Sequence, residues 1–278
     1  MKNGRQSARL QVEAIADEVL AALDAGRQIA PFSERFADLD LSAAYEVAAT
    51  VKKKRQARGE RPVGRKIGFT NRNMWVEYGV FAPIWGDMYD TTVHDLMASG
   101  EGFDLTPFIE PRIEPEIAFG LAQAPEPGMD EFALLSCIEW VAHGFEIVQS
   151  LFPGWHFTAA DTVAAFGLHG ALLLGPRHSI DAGEAMHWLG MLANFEINLE
   201  CNGELVERGH SANVLGGPLS ALRHLAELLT HDPVNPPLSA TEIVTTGTLT
   251  LAQVVAPRDI WRTTISGLPF AGIAVHFA

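Results

Sequence analysis

The spacing of apolar residues over the first 60 positions is that of amphipathic helices. Apolar side chains recur every three or four residues over Ala8–Leu23, and the same spacing returns after Asp40 or Ser42 and stops at Gly59. A period of this kind, closed by glycine, predicts helices. We therefore expect two helices here and treat residues 1–60 as an N-terminal helical region.

Beyond residue 60 the pattern changes to short apolar runs with the β-branched and aromatic content of strands. These runs are Val63–Thr70, Arg112–Leu121, Phe145–Ser150, Ala171–Leu174, Ala193–Cys201, Ile243–Val255 and Ile273–Phe277. Asn202-Gly203 separates the fifth run from Glu204–Glu207. This dipeptide favours a type I′ turn, so the two segments are predicted to form a hairpin.

Two apolar segments at helical spacing, Phe132–His143 and Leu219–Leu229, interrupt the strands. Strands that come in groups, with occasional helices between them, favour an α+β fold over a doubly wound parallel sheet. The polar, proline-rich stretch His231–Pro237 is predicted to be a surface loop. No repeat or low-complexity linker divides the remainder, so residues 61–278 are expected to form a single unit.

The composition excludes several classes of partner. The 278 residues are 47% hydrophobic and 19% charged, the balance of an ordinary globular chain. A formal net charge of −14 disfavours nucleic acid and anionic membrane surfaces as partners. The N-terminus is not signal-like, no apolar run is long enough to span a bilayer, and only two cysteines occur. We expect a cytoplasmic protein with reduced thiols and no membrane association.

The chain lacks the common nucleotide-binding and hydrolase motifs. It has no G-x-G-x-x-G after a strand, no G-x-x-x-x-G-K-[ST] and no G-x-S-x-G, so dinucleotide binding, P-loop hydrolysis and the usual serine-esterase mechanism have no support. Its ten histidines show no H-E-x-x-H or H-x-H grouping. A single histidine such as His143 or His169 is therefore better explained as a packed or hydrogen-bonded residue than as a zinc ligand.

Two carboxylates, Glu114 and Glu116, stand inside the apolar run Ile113–Phe119. In an extended segment, side chains two positions apart share a face and lie about 6.5–7 Å apart along the backbone. Two anions on a buried face need a counter-charge, which a metal ion, a pair of Arg or Lys partners, or a solvated edge could supply. If a metal is the partner, ligands that are all oxygen favour Mg²⁺ or Mn²⁺.

Two further charged residues lie in unusual surroundings. Glu146 lies among apolar neighbours in Gly144–Val148, where a carboxylate again needs a counter-charge. Lys66 lies between two glycines in Gly64–Gly68, where the backbone can approach a ligand closely. Both residue types are commonly found on surfaces, so each alone carries little weight.

Together these segments resemble the 2-keto-4-pentenoate hydratase / 4-oxalocrotonate decarboxylase family, a branch of the fumarylacetoacetase superfamily. The matching motifs are GRKIGFTNRNM at 64–74, PIWGDM at 83–88, PRIEPEIAFGL at 111–121, FEIVQS at 145–150, and NGELVERG with VLGGPLSAL within 202–222. The motifs occur in family order, and PRIEPEIAF is the most specific of them. The resemblance covers the chain from about residue 40 to the end and is weakest over the last 50 residues. The resemblance implies a fumarylacetoacetase C-terminal-domain-like mixed β-sheet roll or sandwich over 61–278 as the catalytic core.

The same resemblance implies roles for particular residues. The carboxylates that would hold Mg²⁺ or Mn²⁺ are Glu114, Glu116 and Glu146, and Lys66 would be the catalytic lysine near the oxo-acid end of the substrate. Candidate substrate-binding residues within the matching motifs are Arg72, Ile84, Gln149 and Leu215. The implied partner is a small-molecule 2-oxo acid, and the implied assembly is a homo-oligomer.

Three positions depart from the family pattern. Ile84 stands in Pro83-Ile84-Trp85-Gly86, where hydratases of the family usually carry an acidic residue, and this form is similar to the decarboxylase branch. Leu151 and Phe166 stand where the family often has Arg and Asn, which makes the pocket less polar. The intervening aromatic segment Phe152–Phe157 is expected to be either a packed loop or a wall of the pocket.

Three functions are consistent with these features. The first is a metal-dependent lyase that hydrates a 2-hydroxyalkadienoate in the catabolism of aromatic compounds. The second is a decarboxylase of 2-oxo-3-enedioates, which needs a cation for the second carboxylate; the nearest candidates in sequence are Arg72 and Arg112. The third is a non-catalytic homologue that binds 2-oxo acids. The overall resemblance favours the hydratase, whereas Ile84 favours the decarboxylase.

Overall fold

The structure, a computed structural model, describes residues 2–96 and 102–278. Its α-helices are α1 (Lys2–Asp24), α2 (Leu41–Ala57), α3 (Trp75–Tyr78), α4 (Glu131–Leu135), α5 (Ala159–Ala164), α6 (Ala185–Ala193) and α7 (Pro218–Thr230). Its strands are β1 (Pro62–Gly68), β2 (Ile84–Tyr89), β3 (Val93–Asp95), β4 (Arg112–Leu121), β5 (Ile138–Val148), β6 (His169–Ser179), β7 (Glu196–Cys201), β8 (Glu204–His210), β9 (Ile243–Thr245), β10 (Gln253–Val254), β11 (Ile260–Ser266) and β12 (Ala274–His276). Within these ranges, no helix has the combined length and apolarity that crossing a bilayer would require.

The two N-terminal helices pack together and share a core with α5. Ile15 and Val19 of α1 and Val47 and Val51 of α2 are at most 1% exposed. Asp40 caps α2, because its carboxylate accepts a hydrogen bond from a backbone N–H of the first turn at 2.8 Å. Both predicted helices are therefore present. The division at residue 60 stays a prediction.

The main sheet is mixed and contains the predicted metal ligands. Its strands lie in the order β2-β1-β9-β4-β5-β6-β3, and β10 pairs with β4 as well. The pairs β1–β9 and β3–β6 are parallel, whereas the long central strands β4, β5 and β6 pair antiparallel. The α+β class with a mixed sheet is thus confirmed.

The central strands β4 and β5 have two different faces. Ile113, Phe145 and Ile147 are fully buried against the second sheet, where they pack with Leu199 and Trp261. Because side chains alternate along a strand, the residues between them project from the opposite face. That face carries the glutamates.

Pro115 lies inside a central strand, a position that normally requires a backbone donor. On this side of β4, the paired segments of β9 and β10 leave a gap, which the segment 246–249 enters. Leu249 donates its N–H to the Pro115 carbonyl at 2.9 Å, and Thr246 donates to the Ile117 carbonyl at 3.1 Å. The N–H and C=O positions of one strand residue point to the same side, so the missing donor of Pro115 faces the gap and breaks no ladder.

The second sheet is antiparallel, with strand order β12-β11-β7-β8. The predicted hairpin joins β7 to β8 through Asn202 and Gly203, whose φ angles are 54° and 86°. Positive φ at both central residues is the signature of a type I′ turn. The hairpin is therefore confirmed.

The prediction of a helix over Phe132–His143 is wrong. Only α4 is helical there, and β5 begins at Ile138. Most of β5 is buried on both faces, and an apolar run without alternation cannot be told from a buried helix by its period. The predicted strand Ala193–Cys201 begins too early, because Ala193 is the last residue of α6 and β7 begins at Glu196. Strands β2 and β11 were not predicted.

Candidate metal centre and cleft

Strand register places three glutamates together. Glu114 and Glu116 are two positions apart on β4 and therefore share a face. Glu146 of β5 lies directly opposite Glu114 in the antiparallel pairing. One carboxylate oxygen from each lies within 4.8 Å of one from each of the others. Their exposed fractions are only 7%, 1% and 0%. The predicted face-sharing of Glu114 and Glu116 is therefore present, and the pairing with β5 supplies the third carboxylate.

Within the described part of the chain, one ammonium group contacts this cluster. Lys66 of β1 is 3% exposed, and its Nζ lies 3.1 Å from Oε2 of Glu146. It also donates a hydrogen bond to the Gly167 carbonyl at 3.2 Å. Three buried carboxylates facing one lysine leave negative charge uncompensated, which is costly in a low-dielectric interior.

The acid–base properties of the cluster reflect this excess of negative charge. Burial, reinforced by Glu146, raises the pKa of Glu114 to about 7, and burial together with both other carboxylates raises the pKa of Glu116 well above its ordinary value. Burial also acts on Glu146, but the Lys66 ammonium and His169 hold its pKa down at about 2. The burial of Lys66 disfavours its charge, yet the three carboxylates raise its pKa above the usual value.

The free oxygens of the cluster fit a divalent cation. Oε2 of Glu116 accepts a hydrogen bond from the Gly247 N–H at 2.8 Å, but Oε1 of Glu116 is buried without a hydrogen bond. Oε2 of Glu146 faces Lys66 at ion-pair distance and outside hydrogen-bond geometry. Buried polar atoms rarely lack partners. Three hard carboxylate donors with unused oxygens match the ligand preference of Mg²⁺ or Mn²⁺.

A buried histidine holds the third glutamate from behind. Nδ1 of His169 lies 2.8 Å from Oε1 of Glu146, and Nε2 lies 2.9 Å from Oγ1 of Thr92. Burial lowers the pKa of His169, although Glu146 opposes that shift. The neutral ring donates through Nδ1 to the carboxylate and accepts from the Thr92 hydroxyl through Nε2.

The cluster adjoins a cleft of about 410 Å³, counting solvent at its mouth, which Glu114 lines. Lys66 and Glu114 supply the charged side chains of its lining. The rest of the lining is largely apolar and includes Phe69, Met74, Tyr78, Val148, Trp155, Phe157 and Leu168. Small-molecule sites typically combine a mostly apolar lining with a few polar groups that converge. The aromatic segment of the sequence therefore contributes to a pocket wall.

The backbone around the cleft is unusual. Phe69, Trp155 and Leu168 line it with φ of 56°, 61° and 60°, and Phe166 beside Leu168 has φ of 47°. Left-handed conformations cost a residue with a side chain about 1–2 kcal/mol. They persist where the surrounding structure enforces them, often at functional sites.

The structure brings some predicted site residues together and separates others. Ile84 is buried beside Lys66, and both side chains border Gly68. A Cβ atom built on Gly68 would lie 3.4 Å from Cγ1 of Ile84 and 3.6 Å from Nζ of Lys66. Arg72 and Leu215 line a separate depression, which does not include the glutamates. Gln149 lines another cavity, and its Oε1 accepts a hydrogen bond from a backbone N–H. The substrate-binding roles of these residues stay predictions.

Trp155 and Phe157 line the cleft and come from the aromatic segment that was expected to be either a packed loop or a pocket wall. Three other site residues were not predicted from the sequence. Tyr78 lines the cleft, His169 holds Glu146, and Gly247 binds Glu116. No local pattern marks His169 or Gly247, because their contacts depend on strands that are distant in sequence.

Comparison with known proteins identifies similar chains. A family model described as the C-terminal part of fumarylacetoacetate (FAA) hydrolase matches residues 88–275. The chain is 30% identical over 261 residues to 2-keto-4-pentenoate hydratase of Paraburkholderia xenovorans (strain LB400), which covers 93% of this chain and 92% of that protein. It is also 30% identical over 257 residues to 4-oxalocrotonate decarboxylase of Pseudomonas sp. (strain CF600), covering 92% and 93% of the two chains.

A solved structure shares the whole architecture. The 4-oxalocrotonate decarboxylase from Pseudomonas putida G7, complexed with magnesium and adipate, superposes with a TM-score of 0.86 at 28% sequence identity. The match covers 97% of this chain and 98% of that one. The similarity therefore includes the N-terminal helices as well as both sheets.

Proposed function

Because this chain belongs to the fumarylacetoacetate hydrolase family and its full-length relatives include hydratases and decarboxylases, we propose that it is a divalent-metal-dependent lyase of short-chain 2-oxo and 2-hydroxydienoic acids. Its reaction is the hydration of a 2-hydroxyalkadienoate. The observation that carries this proposal is the buried trio Glu114, Glu116 and Glu146, which lies beside Lys66 at the charged end of an otherwise apolar cleft.

The three glutamates would hold the metal ion, Mg²⁺ or Mn²⁺. When bound, the ion would supply Lewis-acid chemistry to the oxo-acid head of the substrate. Gly247 fixes one oxygen of Glu116, and His169 fixes one oxygen of Glu146. The second oxygen of each carboxylate therefore stays directed into the cluster. Because Lys66 and Glu114 line the cleft, the acid end of the substrate binds beside these two residues.

Lys66 supplies positive charge where the substrate becomes negative. Hydration passes through an enol or enolate of the 2-oxo acid, whose charge develops on the 2-oxygen. Without a bound ion, the three carboxylates outweigh burial and raise the pKa of Lys66, which favours its ammonium form. The Lys66 ammonium stabilises that charge and exchanges a proton with the oxygen.

The lining of the cleft favours hydration over decarboxylation. A second carboxylate on the substrate would need a cation at the far end of the cleft. Among the residues that line it, Lys66 alone is cationic, and it pairs with Glu146 of the metal cluster. Arg72 lines a different depression, and Arg112 contacts Tyr78 and Trp155 without lining the cleft. A substrate with one carboxylate is therefore the better fit.

Decarboxylation of a 2-oxo-3-enedioate is the second candidate, and Ile84 favours it. This buried side chain borders Lys66 and cannot transfer a proton, unlike the acidic residue that the hydratase motif usually has there. The structure of the decarboxylase with magnesium and adipate, a dicarboxylate, has the same overall fold. Assembly as a homo-oligomer is likewise inferred from the family.

Two substrates distinguish these reactions. Purified protein with MgCl₂ is given 2-hydroxypenta-2,4-dienoate and, separately, 2-oxohex-3-enedioate, and dienol absorbance and CO₂ release are followed. Loss of the dienol without CO₂ supports hydration, and CO₂ from the second acid supports decarboxylation. Silence with both, together with metal-dependent binding of oxalate, identifies a non-catalytic 2-oxo-acid-binding homologue and rejects the enzyme.

A pair of variants tests whether the cluster is responsible. Glu116→Gln keeps an acceptor for the Gly247 N–H but loses the negative charge, so turnover and its dependence on MgCl₂ should disappear. Glu139→Gln makes the same change at an exposed position on β5 and should retain activity. Equal turnover by both variants would reject the assignment of the cluster.

A further inference from the structure

Four aromatic rings form one continuous wall of the cleft. They belong to Phe69, Tyr78, Trp155 and Phe157, all of which line it. Tyr78 and Phe157 are stacked with ring centres 5.7 Å apart and planes 7° apart. Phe69 lies edge-on to both, at 5.9 Å and 6.4 Å, and Trp155 lies 6.3 Å from Phe157. The rings therefore support one another as a single surface, the aromatic wall.

Polar contacts on the outer side hold the wall in place. The Trp155 indole donates to the Glu110 carbonyl at 3.2 Å, and the Phe69 carbonyl accepts from the Trp75 indole at 2.8 Å. The Tyr78 hydroxyl accepts a hydrogen bond from Arg112 at 2.5 Å. Rings fixed in this way bind a ligand without first having to become ordered.

The cleft combines two charged side chains with a largely apolar lining. The charged side chains are Lys66 and Glu114, which both belong to the metal cluster or contact it. Apart from the aromatic wall, the lining includes Met74 and Leu168, and the Thr248 hydroxyl is already used by a hydrogen bond to a backbone carbonyl. A ligand that fills the cleft must therefore have a charged head and an apolar tail.

We propose that the aromatic wall selects substrates whose tail carries an alkyl or aryl group in place of a second carboxylate or a bare vinyl end. This inference rests on the proposed function, because the acid head must bind at the metal end. Planar conjugated or aryl tails stack favourably on aromatic faces. A carboxylate there would lose water and meet the negative faces of the rings.

Arg112 is the residue through which the cleft could instead bind a dicarboxylate. Its guanidinium carbon lies 4.4 Å from the centre of the Trp155 ring, and it also donates a hydrogen bond to Tyr78, but Arg112 itself does not line the cleft. If the rings of the wall moved aside for a dicarboxylate, Arg112 would form an ion pair with its second carboxylate. Tail selectivity measured on inert ligands distinguishes the two arrangements.

Binding of saturated 2-oxo acids tests the wall without requiring turnover. Isothermal titration of the Mg²⁺-loaded protein compares 2-oxobutanoate, 2-oxohexanoate, 2-oxo-4-phenylbutanoate and 2-oxoadipate. We expect affinity to rise about fourfold for each added methylene group and at least tenfold from 2-oxobutanoate to the phenyl acid. We expect 2-oxoadipate to bind more weakly than 2-oxohexanoate. A flat series, or tighter binding of 2-oxoadipate, overturns the proposal.

A ring deletion and its control complete the test. Phe157→Ala should lower the affinity ratio of the phenyl acid to 2-oxobutanoate by at least fivefold, and Phe157→Leu, which keeps an apolar side chain, should lower it less. Phe132→Ala, at a 48% exposed ring on α4, should leave the ratio unchanged. An unchanged ratio in Phe157→Ala rejects the wall.

The outcomes separate the two proposals. If none of the acids binds in a Mg²⁺-dependent way, the proposed function fails, and this inference fails with it. If 2-oxobutanoate binds only with Mg²⁺ and the tails add nothing, only the wall is rejected.

Discussion

His169 and Glu146 lie 2.8 Å apart, Nδ1 to Oε1, and neither side chain is appreciably exposed. The ring is fixed in turn by Thr92, which lies 2.9 Å from Nε2. This contact leaves only the second oxygen of Glu146 free for the cluster. We infer that His169 orients the Glu146 carboxylate so that its second oxygen points into the cluster.

Replacing His169 should therefore weaken metal binding. Partners that orient metal ligands typically contribute 10–100-fold to affinity. His169→Leu should bind Mn²⁺ about 10–100-fold more weakly in a titration followed by electron paramagnetic resonance. His169→Asn, whose amide can donate from nearly the position of Nδ1, should recover much of that loss. Wild-type affinity in His169→Leu would exclude the orienting role.

Gly247 should be irreplaceable for two separate reasons. Its φ is +93°, and a Cβ there would lie 1.8 Å from Oγ1 of Thr70. Gly203→Ala is the matched control, because Gly203 has φ of +86° and open space around it. Urea unfolding should show a loss of about 1–2 kcal/mol for the control from φ alone.

Gly247→Ala should lose clearly more stability than the control, since Thr70 must move to admit the methyl group. It should also bind Mn²⁺ more weakly, because the Gly247 N–H holds Oε2 of Glu116. Similar losses of stability in the two variants would mean that the site relaxes without strain.

The pair Glu114 and Glu116 was predictable because it depends on local geometry. Alternation along a strand puts residues two apart on one face whatever the rest of the fold does. The position of Glu146 is a different matter. It lies opposite Glu114 only because β4 and β5 pair in one register, and a shift of one residue would turn it to the other face.

The shape of the cleft was less predictable than its chemistry. Phe69 and Trp155 line it from left-handed backbone conformations that their residue types disfavour. Local propensity therefore argues against the observed positions, and long-range packing decides them. The helix wrongly predicted at Phe132–His143 failed for a related reason, since burial on both faces erased the alternation of β5.

A buried hydrogen bond between the two sheets should contribute measurably to stability. Burial lowers the pKa of His143 to about 4, so its ring is neutral. Nδ1 donates to the Glu116 carbonyl, and Nε2, 2.9 Å from Oγ1 of Thr263, accepts from that hydroxyl. Thr263→Val keeps the shape but removes both this donor and the acceptor of the Ile273 N–H, which lies 3.0 Å from Oγ1, so the free energy of unfolding should fall by about 1–3 kcal/mol.

Thr264→Val is the control for that change, because Thr264 is its exposed neighbour on β11. Its stability should stay close to that of the wild type in the same urea titration. If the two valine variants unfold at the same urea concentration, the buried hydrogen bond adds nothing to stability.

Tyr89 should make the protein sensitive to alkali. Its side chain is 1% exposed, with the Arg55 guanidinium 3.8 Å from the ring centre. Burial, reinforced by Asp87, raises the pKa of its hydroxyl above the ordinary value, and Arg55 only partly opposes this. Below about pH 10 the hydroxyl is neutral in both folded and unfolded chains and has no effect on the pH dependence of stability.

Above about pH 10 the unfolded chain loses the Tyr89 proton while the folded protein keeps it. The unfolded state is then favoured, and the free energy of unfolding falls by about 1.4 kcal/mol per pH unit until the raised pKa of the folded state is reached. Tyr89→Phe removes this group alone. Between pH 8 and pH 11, its stability relative to wild type should increase by about 1.4 kcal/mol in urea titrations. A difference that stays constant over this range would show that the folded protein ionises Tyr89 as readily as the unfolded chain does.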